Sequence, residues 1–387
     1  MRLYLHPLRW LFWLSSLMVG YTWVAYPFLL KLLSILKSKN GSRQVKSWPS
    51  ISIVMAVHNE ASVIEDSLTD LLAMDYPHGE LEVVVVSDGS TDATNEIVRS
   101  ISSKDSRVRL IELQRSGQTA AIIQGVLAAR YEVIVRSDAD TRHDKDFLIH
   151  IAKHYLDPRI GCVGGELKIR NTSASGISQS EGIYWRYEML LRRLESDAGV
   201  LSTTSGAVMS FRREIFEPFS PDCSEDVVIP KLAIKKGYVM VHEPRAVAYE
   251  VMPSSARGEV NARRRMVSRA LRALFSDEGS INPLRHPLHW WAVFSHKVLR
   301  WMTPVFLILS FVSSIGLRSH KKIYSLALWL HLVYFSMSLC GFLLEKVGKR
   351  VGLLSAAYSF FVANLAFLLG WKDLLLGRKI RTYSSVE

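Results

Sequence analysis

Residues 81–92 read LEVVVVSDGSTD and residues 131–141 read YEVIVRSDADT; in each, a largely apolar, β-branched run breaks off abruptly into carboxylates. A strand covered on both faces reads as a near-continuous Val/Ile run, whereas a half-exposed strand alternates apolar and polar residues. ISIVMAV from Ile51 and VRLIEL from Val108 continue the series, and the stretches between these runs are long enough for crossover helices. The sequence therefore predicts an α/β domain, doubly wound about a parallel sheet.

Ligands of such sheets bind beyond the carboxyl ends of the strands, and there the chain is polar. The first run leads into His58, Asn59 and Glu60, the second into Asp88, Gly89, Ser90, Thr91 and Asp92, and the fourth into Asp138, Ala139, Asp140 and Thr141. Asp138 and Asp140 are two apart, so in extended backbone their carboxylates share a side. Together they suit one hard cation, Mg2+ or Mn2+, which takes one or two carboxylates and fills its octahedron with waters and phosphate oxygens. A solvated turn is the other reading of an isolated DxD. Asp88, at the end of another predicted strand, puts three carboxylates along one sheet edge; Ser90 or Thr91 capping the next helix is compatible with that.

Further along, residues 179–196 have the spacing of an amphipathic helix whose stripe of Ile183, Tyr187, Leu190, Leu191 and Leu194 reads as core. GAVMSF from Gly206 reads as a strand, 226–236 as a helix, 238–250 as a strand pair and 261–274 as a basic helix. His242 reads as a structural histidine within a strand. Cys162, Cys223 and Cys340 are scattered, with no metal-ligand spacing, as fits a reducing compartment.

The chain has 387 residues, 49% of them hydrophobic, and its longest uncharged runs lie at the two ends. Residues 10–30 carry no charge over 21 positions, enough at about 1.5 Å per residue to cross a hydrocarbon layer of roughly 30 Å. No small-residue cleavage site follows, so the segment reads as an anchor and not as a signal peptide. Lys31, Lys37, Lys39, Arg43 and Lys46 follow it against Arg2 and Arg9 before it, which places the central domain in the cytoplasm of a multi-pass membrane protein. After 283 come Trp290, Trp291, His296, Lys297, Arg300 and Trp301, a mixture suited to an interfacial helix, and then apolar blocks at 302–317, 323–344 and 351–371. Four full crossings from an outside N-terminus leave the basic tail of Lys372, Arg378, Lys379 and Arg381 outside, against the charge rule. The net charge of +12 gathers beside these apolar segments, so membrane lipids, and not nucleic acid, are the expected partner.

In order, AVHNE, SDGSTD, SGQTAA, SDADT, TTSGAVMSFRRE, SEDVVIP and RRRM resemble the family 2 glycosyltransferases of GT-A fold over roughly 49–275. The hydrophobic ends resemble the membrane-bound cellulose, hyaluronan and poly-N-acetylglucosamine synthases. The resemblance implies that Ala56, Glu60 and Asp88 contact the nucleoside and that Asp138 and Asp140 hold the donor through its metal. It also implies that Asp226 is the catalytic base, with Glu225 shaping the acceptor site. Arg263, Arg264 and Arg265 are candidates to clamp the diphosphate, a basic helix face near the membrane being the alternative. The expected division is an anchor over 1–36, a linker over 37–48, a GT-A domain over 49–282, an interfacial segment over 283–301, transmembrane helices over 302–371 and a tail over 372–387.

Two departures matter. Ala262 and Met266 stand where the processive synthases carry the glutamine and tryptophan of QxxRW, and Gln118 stands where many relatives have a lysine for the donor phosphates. The resemblance thus implies single transfer from a nucleotide sugar, UDP-linked by family expectation, to a glycan or lipid-linked acceptor. A processive synthase, a polyprenyl-phosphate glycosyltransferase and an inactive nucleotide-binding scaffold for export are the alternatives. A dehydrogenase is excluded, because no GxGxxG follows the first strand.

Overall fold

The computed structural model describes residues 5–37, 48–76, 80–171, 176–251, 255–349 and 351–379. Residues 38–47 of the linker expected over 37–48, and Arg381, lie outside the described residues. The N-terminal apolar segment is helical, as α1 (Leu5–Gly20) and α2 (Tyr26–Leu36) joined through a π turn at Tyr21–Ala25.

The four apolar runs form β1 (Ile51–Val57), β2 (Leu81–Asp88), β3 (Val108–Leu113) and β4 (Val133–Ser137), parallel and in the order β3-β2-β1-β4. Successive side chains point to opposite faces, and both faces are covered. Ile53 and Met55 pack with Val83 and Leu68 on one side; Val54 packs with Val86 and Ile122 on the other. Crossovers run through α3 (Ile64–Leu72), α4 (Thr94–Lys104) and α5 (Gln118–Ala128). α5 lies so close that a Cβ on Gly125 would meet Val54 Cγ1 at 2.5 Å. The cap of α4 differs from expectation: Asp92, and neither Ser90 nor Thr91, accepts from the Thr94 amide at 3.0 Å.

The second half adds β5 (Arg142–His143), α6 (Phe147–Ala152), β6 (Ile160–Ile169), α7 (Gly176–Ala198), β7 (Met209–Arg212), α8 (Glu225–Lys235), β8 (Val239–Glu250) and α9 (Ala256–Phe275). Among the described residues the sheet is eight-stranded, extended by β7-β6-β8-β5. It is mixed and not wholly parallel, because β7 runs antiparallel to both β4 and β6, and β5 to β8. The pair of strands expected over 238–250 is one strand. Its ladder with β6 jumps from Glu243 to Val247, so Pro244 to Ala246 bulge out where proline has no N–H to give. Residues 206–208 form a 3₁₀ turn, and the strand begins only at Met209.

The stripe of α7 also departs from expectation. Ile183 and Leu190 are exposed, whereas Glu188, Arg192 and Glu195 are buried. The reason lies in the helix after 283, α10 (Pro287–Val293), which continues through a π segment, Phe294–Leu299. Its cations turn onto α7: His296 lies between Glu195 (2.6 Å) and Glu188 (3.1 Å), with Lys297 and Arg300 2.7 and 2.5 Å from Glu188. The Tyr26 hydroxyl of α2 donates to Glu195 at 2.6 Å, tying the N-terminal helix to the same cluster.

Beyond a 61° bend come α11 (Thr303–Leu317), α12 (Lys322–Lys346) and α13 (Gly352–Leu375). The N-terminal helix, α12 and α13 are each long and apolar enough to cross a membrane. α13 nevertheless runs parallel to α9 and in contact with it. Tyr358 and Val362 meet Ala256 and Val260, Arg264 pairs with Asp373 at 2.5 Å, and the Arg272 guanidinium donates to the Arg378 carbonyl at 2.7 Å. Lys379 then reaches Asp222 at 2.7 Å, so the described part of the basic tail lies on the α/β domain.

Removing one partner of a buried ion cluster strands the remaining charges. Glu188→Ala is predicted to cost about 3–5 kcal/mol, read as a lowered unfolding midpoint of the full chain in detergent, because His296, Lys297 and Arg300 lose their shared carboxylate. A loss within experimental error of zero would contradict this role for Glu188.

Candidate active site

The carboxyl ends of β1, β2 and β4 open into a cleft of about 410 Å³. It brings together Ala56, Glu60, Asp88, Asp138, Asp140, Glu225, Asp226, Arg263 and Arg265, every site residue expected from the sequence except Arg264. Arg264 faces the other way, where Asp373 of α13 holds it in a two-pronged pair outside the cleft, so it does not stand with the diphosphate-clamp candidates. Ala262 and Met266 line the cleft as well.

Asp88 is almost wholly buried, and its oxygens organise the loop before α5. They accept from the Ser116 and Gly117 amides (2.6 and 2.9 Å), the Ser116 hydroxyl (3.0 Å) and Arg115 (2.9 Å). Gly117 sits at φ 101°, a conformation that side chains resist, and this aims its N–H at the carboxylate. Asn59 takes a left-handed φ of 57° and links the two loops by accepting from the Thr91 amide at 2.8 Å.

Arg136 was missed in the sequence although a charge inside an apolar strand is itself a signal. It is buried, forks onto Asp138 at 2.7 and 2.8 Å, and lies 3.4 Å from Glu225. Gln118, at the start of α5, adds a 3.0 Å bond to Asp138. Glu225 also accepts from Thr119 at 3.1 Å and pairs with Arg269 at 3.5 Å. Burial alone would raise the Glu225 pKa, but Arg136 and Arg269 outweigh it and hold the carboxyl below its ordinary range. Asp226 next to it moves the opposite way, raised by burial and then by the Glu225 charge, while Ser224 donates to it at 2.5 Å. Adjacent carboxyls driven apart in this way are the pattern of an acid–base site.

Asp140 is exposed to the cleft, and burial with the neighbouring Asp138 raises its pKa. Glu60 is pushed up to about 7 by burial and then by Asp140 and Asp138. Glu250, at the end of β8, was not foreseen; burial, Asp138 and Asp140 push it up to about 8. The cleft thus gathers more negative charge than Arg136 neutralises, and a cation would relieve it. Among the described residues no three His, Cys, Asp or Glu side chains are arranged as a metal cage. The Asp138–Asp140 pair is a donor set that fits an ion completed by waters and substrate phosphates, as Mg2+ or Mn2+ is. His242 is held by Glu166 at 3.0 Å, as a structural histidine.

The glycosyl transferase family 2 model matches residues 52–219. Among curated proteins, the chain is 28% identical over 231 residues to a poly-β-1,6-N-acetyl-D-glucosamine synthase of Staphylococcus epidermidis, covering 58% of this chain and 54% of the relative. It is 29% identical over 230 residues to the same synthase of Staphylococcus aureus (strain COL), covering 57% and 54%. The matched segment spans about half the length of these relatives. Among solved structures, a mannosyltransferase from Pyrobaculum calidifontis, in complex with GDP-Man and Mn2+, shares the fold with a TM-score of 0.71 at 21% identity, over 95% of this chain and 100% of that one.

Arg136→Met is predicted to destabilise the chain by about 3–5 kcal/mol, because it leaves Asp138 and Glu225 without their shared cation. Arg136→Lys should restore only part of this, since an ammonium cannot fork onto a carboxylate. Urea unfolding of the three proteins checks both statements.

Proposed function

With residues 52–219 a family 2 glycosyltransferase domain related to the poly-β-1,6-N-acetylglucosamine synthases, we propose that the chain transfers a sugar, with inversion, from a nucleotide-diphosphate sugar to an acceptor hydroxyl at the membrane. The observation that carries this reading is one cleft lined by both the Asp138–Asp140 pair and the Glu225–Asp226 pair. The donor is UDP-linked by family resemblance, although the mannosyltransferase of similar fold holds GDP-Man. Polysaccharide or glycoconjugate synthesis is the setting that the synthase relatives support.

Ala56, Glu60 and the loop ordered by Asp88 receive the nucleoside. Asp140 and Asp138, the latter oriented by Arg136 and Gln118, would hold a Mg2+ or Mn2+ ion. When bound, that ion neutralises the charge accumulating on the departing diphosphate. Arg265 and Arg263 line the same cleft and add positive charge there. Asp226 takes the proton from the acceptor hydroxyl as it attacks, and its raised pKa suits that task, since a base works best with a pKa nearer the working pH. Glu225 is held by its two arginines and keeps Asp226 facing the acceptor. Attack from the side opposite the diphosphate inverts the anomeric carbon in one displacement.

Met266 and Ala262 line the cleft at the positions where the polymerases carry tryptophan and glutamine, which favours addition of a single residue. The N-terminal helix, α11 and α12 are the proposed crossings, and α13 lies under the domain. That arrangement keeps Arg378 and Lys379 on the side of the domain, which restores the positive-inside balance for a cytoplasmic domain.

Asp226→Asn should lower kcat about 10²- to 10⁴-fold while donor binding is retained, and Asp140→Ala should abolish metal-dependent donor binding. Nucleoside diphosphate release from a panel of nucleotide sugars, with calorimetry for binding, measures both; equal activity in Asp226→Asn would contradict the assignment. The acid limb of the rate profile should lie above the ordinary aspartate value of 3.8, because protonating Asp226 removes the base. Glu225→Gln should move that limb to lower pH in whatever activity it retains, since the like charge that raises Asp226 is gone.

A further inference from the structure

We propose that Asp373 and Lys379, at the C-terminal end of α13 and just beyond it, set the two pieces of backbone on which the active cleft depends. One is α9, which carries Arg263 and Arg265; the other is the loop that leads into Glu225 and Asp226. Both are positioning residues: they act through Arg264 and Asp222, and neither lines the cleft. This rests on the glycosyl-transfer reading and deepens it.

Arg263, Arg265 and Met266 of α9 line the cleft. One turn beyond Arg265, Arg269 lies 3.5 Å from Glu225 and donates to the Cys223 carbonyl at 3.0 Å. The opposite side of the helix meets α13. There Asp373 is fully buried and accepts from Arg264 at 2.5 and 2.6 Å. A Cβ on Gly370 would stand 2.7 Å from Val267 Cγ1, so the two helices approach closely. A buried ion pair adds little net stability compared with apolar packing. What the two-pronged pair supplies is orientation, because the planar guanidinium fixes angle as well as distance. Successive residues of a helix are about 100° apart, so holding Arg264 against rotation also holds Arg263 and Arg265.

The second contact is with the loop before α8. The Arg272 guanidinium donates to the Arg378 carbonyl at 2.7 Å, which fixes the chain immediately before Lys379. The Lys379 ammonium then lies 2.7 Å from the buried Asp222. The Cys223 amide donates to the Ser220 carbonyl at 3.0 Å, and Ser224 donates to the Asp226 carboxylate at 2.5 Å. A displacement of Asp222 is therefore passed along a short, tied segment to the base. The Lys379 side chain is itself 55% exposed, and an ion pair with an exposed partner contributes little to folding. Its loss thus separates positioning of the base from stability of the chain.

The test uses the full chain in nanodiscs, with nucleoside diphosphate release from a panel of nucleotide sugars as the activity. Lys379→Glu should lower kcat about tenfold or more, with the donor KM, the stoichiometry of donor binding and the unfolding midpoint unchanged. Lys379→Arg should keep the natural kcat. Asp373→Asn should instead raise the donor KM several-fold, because Arg263 and Arg265 turn with Arg264. Asp373→Leu combined with Arg264→Leu, an apolar pair that keeps the helices docked, should restore any midpoint lost in Asp373→Asn and leave the KM raised. Hydrogen exchange at the Cys223 amide should quicken about tenfold in Lys379→Glu. The natural kcat in Lys379→Glu, or the natural donor KM in the apolar pair, would overturn the proposal. Faster exchange at Cys223 with no release from any donor, even by the natural chain, would keep the clamp on the loop and remove glycosyl transfer; unchanged exchange would remove the clamp as well.

Discussion

A single buried guanidinium, Arg136, stands between the two acidic pairs of this molecule. It forks onto Asp138 at the end of β4 and reaches Glu225 at the start of α8. It is the positive charge that buried Glu225 and partly exposed Asp138 share, and it offsets the repulsion of two like charges in a poorly hydrated site. The consequences spread outward from that bridge. Glu225 is held ionised by Arg136 and Arg269, its charge raises Asp226, and Asp138 is fixed while Asp140 is left facing the cleft. The geometry of the site thus follows from where one positive charge sits in the centre of the sheet.

A second ionic cluster does comparable work between the α/β domain and the apolar helices. Glu188 and Glu195 of α7 collect His296, Lys297 and Arg300 from the helix after 283, together with Tyr26 from the N-terminal helix. Such a cluster contributes less to stability than apolar packing of equal volume would, since each charge must be stripped of water. It does fix register. The membrane helices are keyed to α7, and α7 forms part of the wall of the active cleft through Tyr184 and Trp185.

Much of this was legible in the sequence. Four apolar runs gave β1 to β4 nearly to the residue, because strands buried on both faces cannot alternate, and the carboxylates that follow them do converge in one cleft. What stayed hidden has physical reasons. The antiparallel insertion of β7 depends on long-range pairing that no local pattern encodes. The stripe of α7 misled, since Glu188 and Glu195 are buried only because cations more than a hundred residues later come to meet them. Arg136 and Glu250 lie inside or at the end of strands, where residue type alone does not say which neighbours share the site. α13 has the length and hydropathy of a membrane span, and its contacts with α9 are long-range ones that this pattern does not encode.

The central claim is that one cleft holds donor and base on opposite sides of the reacting carbon. The most direct measurement is a cryo-electron microscopy map of the full chain with Mn2+ and a non-hydrolysable nucleotide sugar. The account predicts density for the diphosphate beside Asp140, the nucleoside against the loop ordered by Asp88, and the Asp226 carboxylate facing the anomeric carbon from the other side. A nucleotide bound elsewhere, or an Asp226 lying on the same side as the diphosphate, would contradict it.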